Sequence, residues 1–422
     1  MKTYFFTLVL ILGSIYSAFP CSSAIISGKA TPDGRPLLWK HRDAREEEND
    51  LRFFNGEKYD FIGLCNTVDT TGTQVWMGAN SSGFSIMNTN AYNLERGRYR
   101  GPMDQDGYLM KAALSQCGSV SDFEDYLRET KGKRGVLANF GVIDAKGGAA
   151  FFEVDPYAYK KFDANDPVVA PEGYLIRTNY AVSGKGARGS GYIRYKTLEQ
   201  IFNKALQNES LSADFLLLEA TRSLRHSLFD RDLYHCELPE DSGKTHYIMF
   251  RDYIVRGSSV STMVVQGVKK GESPSLTTLW TIPGFQLSCV TVPVWVEAGK
   301  ELPEVIQSSL AIPSLLSAYS LFLKKKCFPL PYREGGNYMD LAQVLNRKGD
   351  GIAQKIISQD REMISDARQL IEKWRKKGFR KEEALLFYKQ IDERIKDIYK
   401  TEFGLTESGI ERKKVQPRRS YW

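Results

Sequence analysis

The hydrophobic pattern changes period once along the chain, and that change sets the architecture. From Cys21 to about Val296 short apolar runs are broken by Gly, Asn and Asp, whereas beyond Pro329-Leu-Pro331 apolar residues recur at helical intervals among many charges. Residues 23–26, 36–39, 83–87, 139–143, 149–154 and 173–176 read as strands, and DAKGG at 144–148 reads as a hairpin turn whose glycines accept positive φ. Helical spacing is predicted over 107–115, 119–129, 195–205 and 212–222. Strands mixed with helix pairs favour a layered α/β or α+β domain of about 300 residues. Over 337–399, Leu341, Val344 and Leu345, then Ile364, Ala367, Leu370 and Ile371, predict two or three amphipathic helices that cover the core or present a partner surface. The division implied is 1–20, 21–330 and a helical extension over 331–422.

The first segment, MKTYFFTLVLILGSIYSAFP, reads as an export signal. Lys2 is its only charge, residues 4–12 are nearly all apolar, and Gly13, Ser14, Ser17 and Ala18 follow. The apolar part is too short for a stable bilayer anchor. Cleavage before Cys21, or after Ala18 with later trimming of Phe19 and Pro20, makes Cys21 the first residue of an exported chain, periplasmic or secreted. A lipoprotein signal also leaves a cysteine first, but it wants small residues directly ahead of it, where this chain has Ala18, Phe19 and Pro20. The alternative is therefore a surface lipoprotein with Cys21 lipidated and a binding role.

A chain of 422 residues with 42% hydrophobic content buries a full core and an appendage. No stretch after residue 20 has the length and apolarity of a membrane helix, so no integral span is expected. The net charge of +7 is modest, and residues 411–422, with five basic residues against one acidic, read as a solvated end rather than a nucleic-acid site. Six cysteines include no CxxC pair; if Cys21 stays reactive, an odd five remain and their pairing is open. The four histidines show no ligand spacing, so neither metal nor cofactor is expected, and His41 beside Arg42 and Asp43 is not taken as a catalytic base.

An amide is a poor electrophile. Splitting it through an acyl-enzyme needs an activated nucleophile, a proton shuttle for the leaving amine and donors for the oxyanion. An N-terminal cysteine supplies the first two, because its thiol (reference pKa roughly 8.5) and its α-amine (roughly 7.7–8.0) both titrate near working pH.

With CSSAIIS at 21–27 and DGRPLLWKHRD at 33–43, the chain resembles the N-terminal-nucleophile hydrolases of the choloylglycine hydrolase, penicillin V acylase and acid ceramidase group, with the related isopenicillin N acyltransferases. The resemblance covers roughly residues 21–300 and implies a four-layer αββα sandwich, an α+β fold, followed here by a C-terminal helical extension. It implies that Asp43 holds the α-amine or thiol of Cys21 in register. Lys40 and His41 depart from the family's "(R/K/Q)-N-x-D" element, with Lys40 standing where many members carry arginine and so at a substrate-binding position. GYLIRTN at 173–179 is similar to the strand whose asparagine, here Asn179, donates to the oxyanion; its bland alternative is a turn cap. GFSIMNTN at 83–90 resembles the strand that closes the same hole, with Asn88 and Asn90 both eligible. SGYIRY at 190–195 resembles the family's "S-x-x-x-R" segment, which places Arg194 near the nucleophile. Residues 259–266 and 279–293 resemble paired core strands, and 258–262 are expected to line the pocket.

The resulting expectation is an exported cysteine amidohydrolase that acts on a small-molecule N-acyl amide through a thioester on Cys21. Water completes hydrolysis; an amine or thiol acceptor in its place makes an acyltransferase. Trp76, Tyr92, Phe140 and Tyr180 are candidates for an apolar acyl pocket, though core packing competes. A homo-oligomer is compatible with this reading, and the acyl and amine parts of the substrate stay open.

Overall fold

The computed structural model describes residues 20–186, 189–331 and 334–416. Residues 1–19 of the segment 1–20 read as an export signal, and residues 417–422 of the basic tail, lie outside the described residues. In chain order, β1 (Ser22–Ile26), β2 (Leu37–Asp43), β3 (Asn49–Phe54), β4 (Phe61–Asn66), β5 (Met77–Asn80) and β6 (Ser85–Asn90) precede helices α1 (Asp106–Gln116) and α2 (Val120–Glu129). Strands β7 (Ala138–Ile143), β8 (Ala149–Val154), β9 (Tyr159–Asp163) and β10 (Tyr174–Arg177) lead into α3 (Tyr192–Gln207). A π-helical segment (Phe215–Ala220) and the short strands β11 (Arg225–His226), β12 (Arg231–Asp232) and β13 (Tyr247–Met249) follow. The remainder is β14 (Ser259–Gln266), β15 (Thr278–Ile282), β16 (Val292–Val294), α4 (Leu315–Cys327), β17 (Tyr338–Asp340), α5 (Leu341–Val344), α6 (Ile352–Lys377) and α7 (Lys381–Phe403).

Two antiparallel sheets face each other, one ordered β10-β1-β2-β14-β15-β16 and the other β3-β4-β5-β6-β7-β8-β9. Strands β1 and β2 lie against β6 and β7, which puts the centre of each sheet over the centre of the other. Helices α1 and α2 cover the outer face of the seven-stranded sheet; α3, the π segment, α4 and α6 cover the six-stranded one. The layers are αββα.

The period-two pattern explains why some strands are legible. In β7 and β8, Ala138, Phe140, Val142, Ala150, Phe152 and Val154 point to the α1/α2 layer, while Ile143, Ala149 and Phe151 point between the sheets. With both faces buried, such strands read as apolar runs. Strand β9, YKKFD, is half-exposed at the sheet edge, and β3 carries Asn49, Asp50 and Arg52, so neither shows a run. Helix α2 starts where Ser119 accepts from the Asp122 N–H and buries Phe123 and Leu127. The helical spacing over 212–222 resolves into the π-helical segment at 215–220, held by main-chain bonds such as Thr221 N–H to the Leu216 carbonyl.

The C-terminal helices are packed onto the same core. Trp295 lies 4.9 Å from Trp374 of α6 and 5.8 Å from Tyr388 of α7, ring centroid to centroid. Tyr399 donates to the Ser288 carbonyl at 2.7 Å. Asp360 of α6, fully buried, meets Arg222 at 2.6 Å and accepts from both the N–H and the hydroxyl of Thr291. Among the described residues no helix is long and apolar enough to cross a membrane.

Candidate active site

All seven residues of β2 are buried, yet the last four are Lys40, His41, Arg42 and Asp43. Polar and charged groups out of water cost free energy unless each finds a partner, so this strand end marks a built site. Alternation separates the four. Lys40 and Arg42 face the seven-stranded sheet: Lys40 Nζ donates to Asn88 Oδ1 (2.7 Å) and to the Trp76 carbonyl (2.9 Å), and Arg42 donates to Asn49 Oδ1 (2.6 Å) and Asn66 Oδ1 (2.9 Å). His41 lies on the opposite face, against Ser259 and Thr262 of β14.

Cys21 stands one position ahead of β1, whose first residue, Ser22, pairs with His41. It is 8% exposed, and its thiol lies 3.8 Å from the main-chain carbonyl of Asp43. The Asp43 carboxylate turns the other way. Its Oδ1 accepts from Ser259 (2.6 Å) and Ser258 (3.4 Å), and its Oδ2 pairs with Arg256. Arg256 Nη2 also donates to the carbonyl of Pro20, the carbonyl of the peptide bond whose nitrogen belongs to Cys21. One guanidinium therefore joins the position where a free α-amine would arise to the carboxylate expected to hold it.

Arg194 occupies the first turn of α3 and is wholly buried. Its Nη1 donates to the Cys21 carbonyl and to Ser22 Oγ (2.7 Å), and its Nη2 donates to Asn179 Oδ1 (3.0 Å). Gly191 makes room for it: φ is +90°, and a Cβ there would stand 2.1 Å from Arg194 Nη2. Asn179 uses Nδ2 on the Asn90 carbonyl at 3.1 Å, and an amide NH₂ carries a second hydrogen.

A cavity of about 360 Å³ opens at Cys21. Lys40, Asp43, Asn88 and Asn90 line it, with Arg42, Glu46 and Asp104 adding charge and Trp76 the one aromatic ring. The Trp76 ring lies 4.8 Å from the Arg42 guanidinium and 5.9 Å from Lys40 Nζ. Burial, opposed in part by Cys21, pushes the Lys40 ammonium down to about 8. Burial likewise pushes Arg194 down to about 9 and the His41 imidazole down to about 3. Behind Asn88, burial and then Asp104 push Asp106 up to about 6.

The structure thus gathers Cys21, Lys40, Asp43, Asn88 and Asn90 at one cavity and seats Asn179 and Arg194 directly behind it. Two expectations need correction. Residues 258–262 do not line this cavity; Ser258 and Ser259 hold Asp43 and Thr262 meets His41. Of the four aromatics, Trp76 lines it; Tyr92 does not, though burial and then Cys21 push its hydroxyl up; Phe140 is buried under α2 and Tyr180 packs on Tyr195. Arg256 was not singled out from the sequence; the available signal was an arginine three residues ahead of a serine-rich strand. All six cysteines are free thiols, and burial pushes Cys117 and Cys327 up to about 12 and Cys65 and Cys289 further. Among the described residues no cluster of three or more His, Cys, Asp or Glu is placed to hold a metal.

No protein-family model and no curated protein matches the chain. Among solved structures it is similar to a conjugated bile acid hydrolase variant from Clostridium perfringens, at 13% identity and a TM-score of 0.38, over 66% of this chain and 93% of that one. It is similar to penicillin V acylase from Agrobacterium tumefaciens at 9% identity and a TM-score of 0.34, over 66% of this chain and 86% of that one. A Caenorhabditis elegans N-acylethanolamine-hydrolyzing acid amidase ortholog matches at 12% identity and a TM-score of 0.33, over 46% of this chain and 86% of that one. The αββα layering, with a cysteine heading an inner strand of the six-stranded sheet, is the architecture that the opening motifs imply for an N-terminal-nucleophile hydrolase.

Proposed function

We propose that this chain is an exported cysteine amidohydrolase that cleaves linear N-acyl amides through a thioester on Cys21. The observation that carries the reading is the convergence on one residue. The Cys21 thiol faces a cavity rimmed by charged side chains, its carbonyl is gripped by Arg194, and the peptide bond on its amino side is held by the Arg256 that also binds Asp43. Removal of residue 20 frees an α-amine beside this pair. That amine takes the thiol proton as sulfur attacks the acyl carbon and returns it to the departing amine. Water then adds to the thioester, the amine again accepting a proton, and a carboxylic acid leaves; an amine or thiol acceptor at this step gives acyl transfer.

The second Nδ2 hydrogen of Asn179, with Asn88 and Asn90 at the cavity, is assigned to the developing oxyanion. Burial of Cys21 between β10 and β2 speaks against a diacylglyceryl group on its sulfur. The test is N-terminal sequencing of active protein together with a mass measurement on the Cys21 peptide after brief exposure to a panel of N-acyl amides. A chain beginning at Cys21 and an acyl mass on that peptide are expected; retained activity in Cys21→Ala would refute the reading.

A further inference from the structure

The mechanism leaves one buried imidazole unused. His41 is fully buried, with Ser259 Oγ 2.9 Å from its Nε2 and Thr262 Oγ1 3.4 Å from its Nδ1. Ser259 Oγ also lies 2.6 Å from Asp43 Oδ1 and accepts the Arg256 main-chain N–H at 3.0 Å. A hydroxyl has one hydrogen to give. If it goes to His41, Asp43 loses the shorter of its two serine contacts; if it goes to Asp43, His41 must itself donate from Nε2.

Distance decides between the two. The 2.6 Å contact to Asp43 is in the range of a charge-assisted O–H···O⁻ bond, roughly twice as strong as a neutral one. The Ser259 proton therefore points to Asp43, Nε2 carries hydrogen, and Nδ1 is bare. A bare Nδ1 accepts from the Thr262 hydroxyl, which in turn accepts from Gln286 Nε2 at 3.0 Å. Burial keeps the ring neutral, its pKa pushed down to about 3 against the pull of Asp43, with Arg256 and Arg194 adding to the burial.

We propose that His41 is a positioning residue: as the Nε2–H tautomer it donates to Ser259 and commits the Ser259 hydroxyl to Asp43, fixing the carboxylate beside Cys21. The chain Gln286–Thr262–His41–Ser259–Asp43 orders a row of donors from the helix-covered side of the sheet toward the nucleophile. This inference rests on the amidase reading for its kinetic arm but not for its spectroscopic one.

The direct test is the ¹⁵N spectrum of the mature protein, where only four histidines need assignment. A protonated Nε2 and a bare Nδ1 at His41 from pH 5 to 8, roughly the window in which an ordinary imidazole titrates, are expected. The opposite tautomer, or a ring that titrates in that window, overturns the proposal. The second test compares His41→Gln, which keeps an N–H near Nε2, with His41→Leu, which removes it, and with Ser259→Ala. His41→Leu is expected to lower kcat about tenfold with KM little changed, and His41→Gln to restore most of it. In His41→Leu combined with Ser259→Ala the loss should equal that of Ser259→Ala alone, since the two act in series. Multiplying losses, or full activity in folded His41→Leu, overturns it. Alkylation of Cys21 by a neutral reagent across pH needs no substrate. A changed profile in His41→Leu, restored in His41→Gln, supports the positioning role even if the amide panel shows no turnover, and an unchanged profile overturns it.

Discussion

Gly191→Ala adds one methyl group to a residue without functional atoms and is expected to cripple the site. The φ of +90° is a conformation L side chains rarely adopt, costing about 1–3 kcal/mol. The new Cβ would also stand 2.1 Å from Arg194 Nη2, 2.7 Å from its Cζ and 2.9 Å from the Thr178 Cβ. The guanidinium is the softer obstacle, so it retreats, and its bonds to the Cys21 carbonyl, Ser22 and Asn179 are strained or lost. A hydrogen bond to a charged group contributes about 1.5–3 kcal/mol, which with the loss of one such bond sets the total at about 2.5–6 kcal/mol. Because Arg194 touches Cys21, the proposed nucleophile, and Asn179, the proposed oxyanion donor, kcat/KM should fall by more than a hundredfold, roughly the rate equivalent of 3 kcal/mol. Urea titration gives the stability term and single-turnover acylation of Cys21 the rate term. A folded Gly191→Ala protein with near-native acylation would refute the account of how Arg194 is seated.

Two further outcomes follow from buried charges. Since Lys40 is held at about 8 when folded against an ordinary value of 10.5, the unfolded chain binds more protons between those values, and this group's contribution to stability rises with pH across that window. Wild-type protein should therefore gain about 3 kcal/mol on Lys40→Met between pH 8 and 10.5, measured by paired denaturant titrations; parallel curves would contradict the burial of the ammonium. Asp360→Ala leaves Arg222 buried without its carboxylate and should cost about 3–5 kcal/mol in urea unfolding, whereas a loss below 1 kcal/mol, roughly the worth of an exposed pair, would mean that α6 does not carry that contact.

Elements buried on both faces were legible because their apolar runs survive in one dimension: β8 matches its expected span residue for residue, and β7 differs by one. Strands β3 and β9 were not, since they mix charge with half-exposed positions, and β4 and β5, though buried, are short runs interrupted by Gly63 and Gly78. Helix α4, LLSAYSLFLKKKC, was also missed, because nine of its thirteen residues are buried and no polar face marks the period. At the site, the residues carried by short local motifs were findable. Arg256 was not, and Ser259 was expected at the pocket rather than on Asp43, because their partner Asp43 is more than two hundred residues away and only the pairing of β14 with β2 brings them together.

That pairing also explains why the C-terminal helices belong to the argument about chemistry. Lys324 of α4 donates to the Ser259 carbonyl at 3.1 Å and to Glu47 at 2.7 Å, so a helix outside the sandwich fixes the backbone of the serine that holds Asp43. On the same side, Arg222 joins Asp360 of α6 to the carbonyl of Gln286, whose side chain meets Thr262. The end of β2 carries four buried polar residues. A two-sheet sandwich alone leaves its outer face open there, and the dielectric that depresses His41 and Arg194 exists only once α3, α4 and α6 close over it. In this protein the helical layers are part of the electrostatics of the cysteine, and any truncation that removes α6 should be read as a change to the site before it is read as a loss of mass.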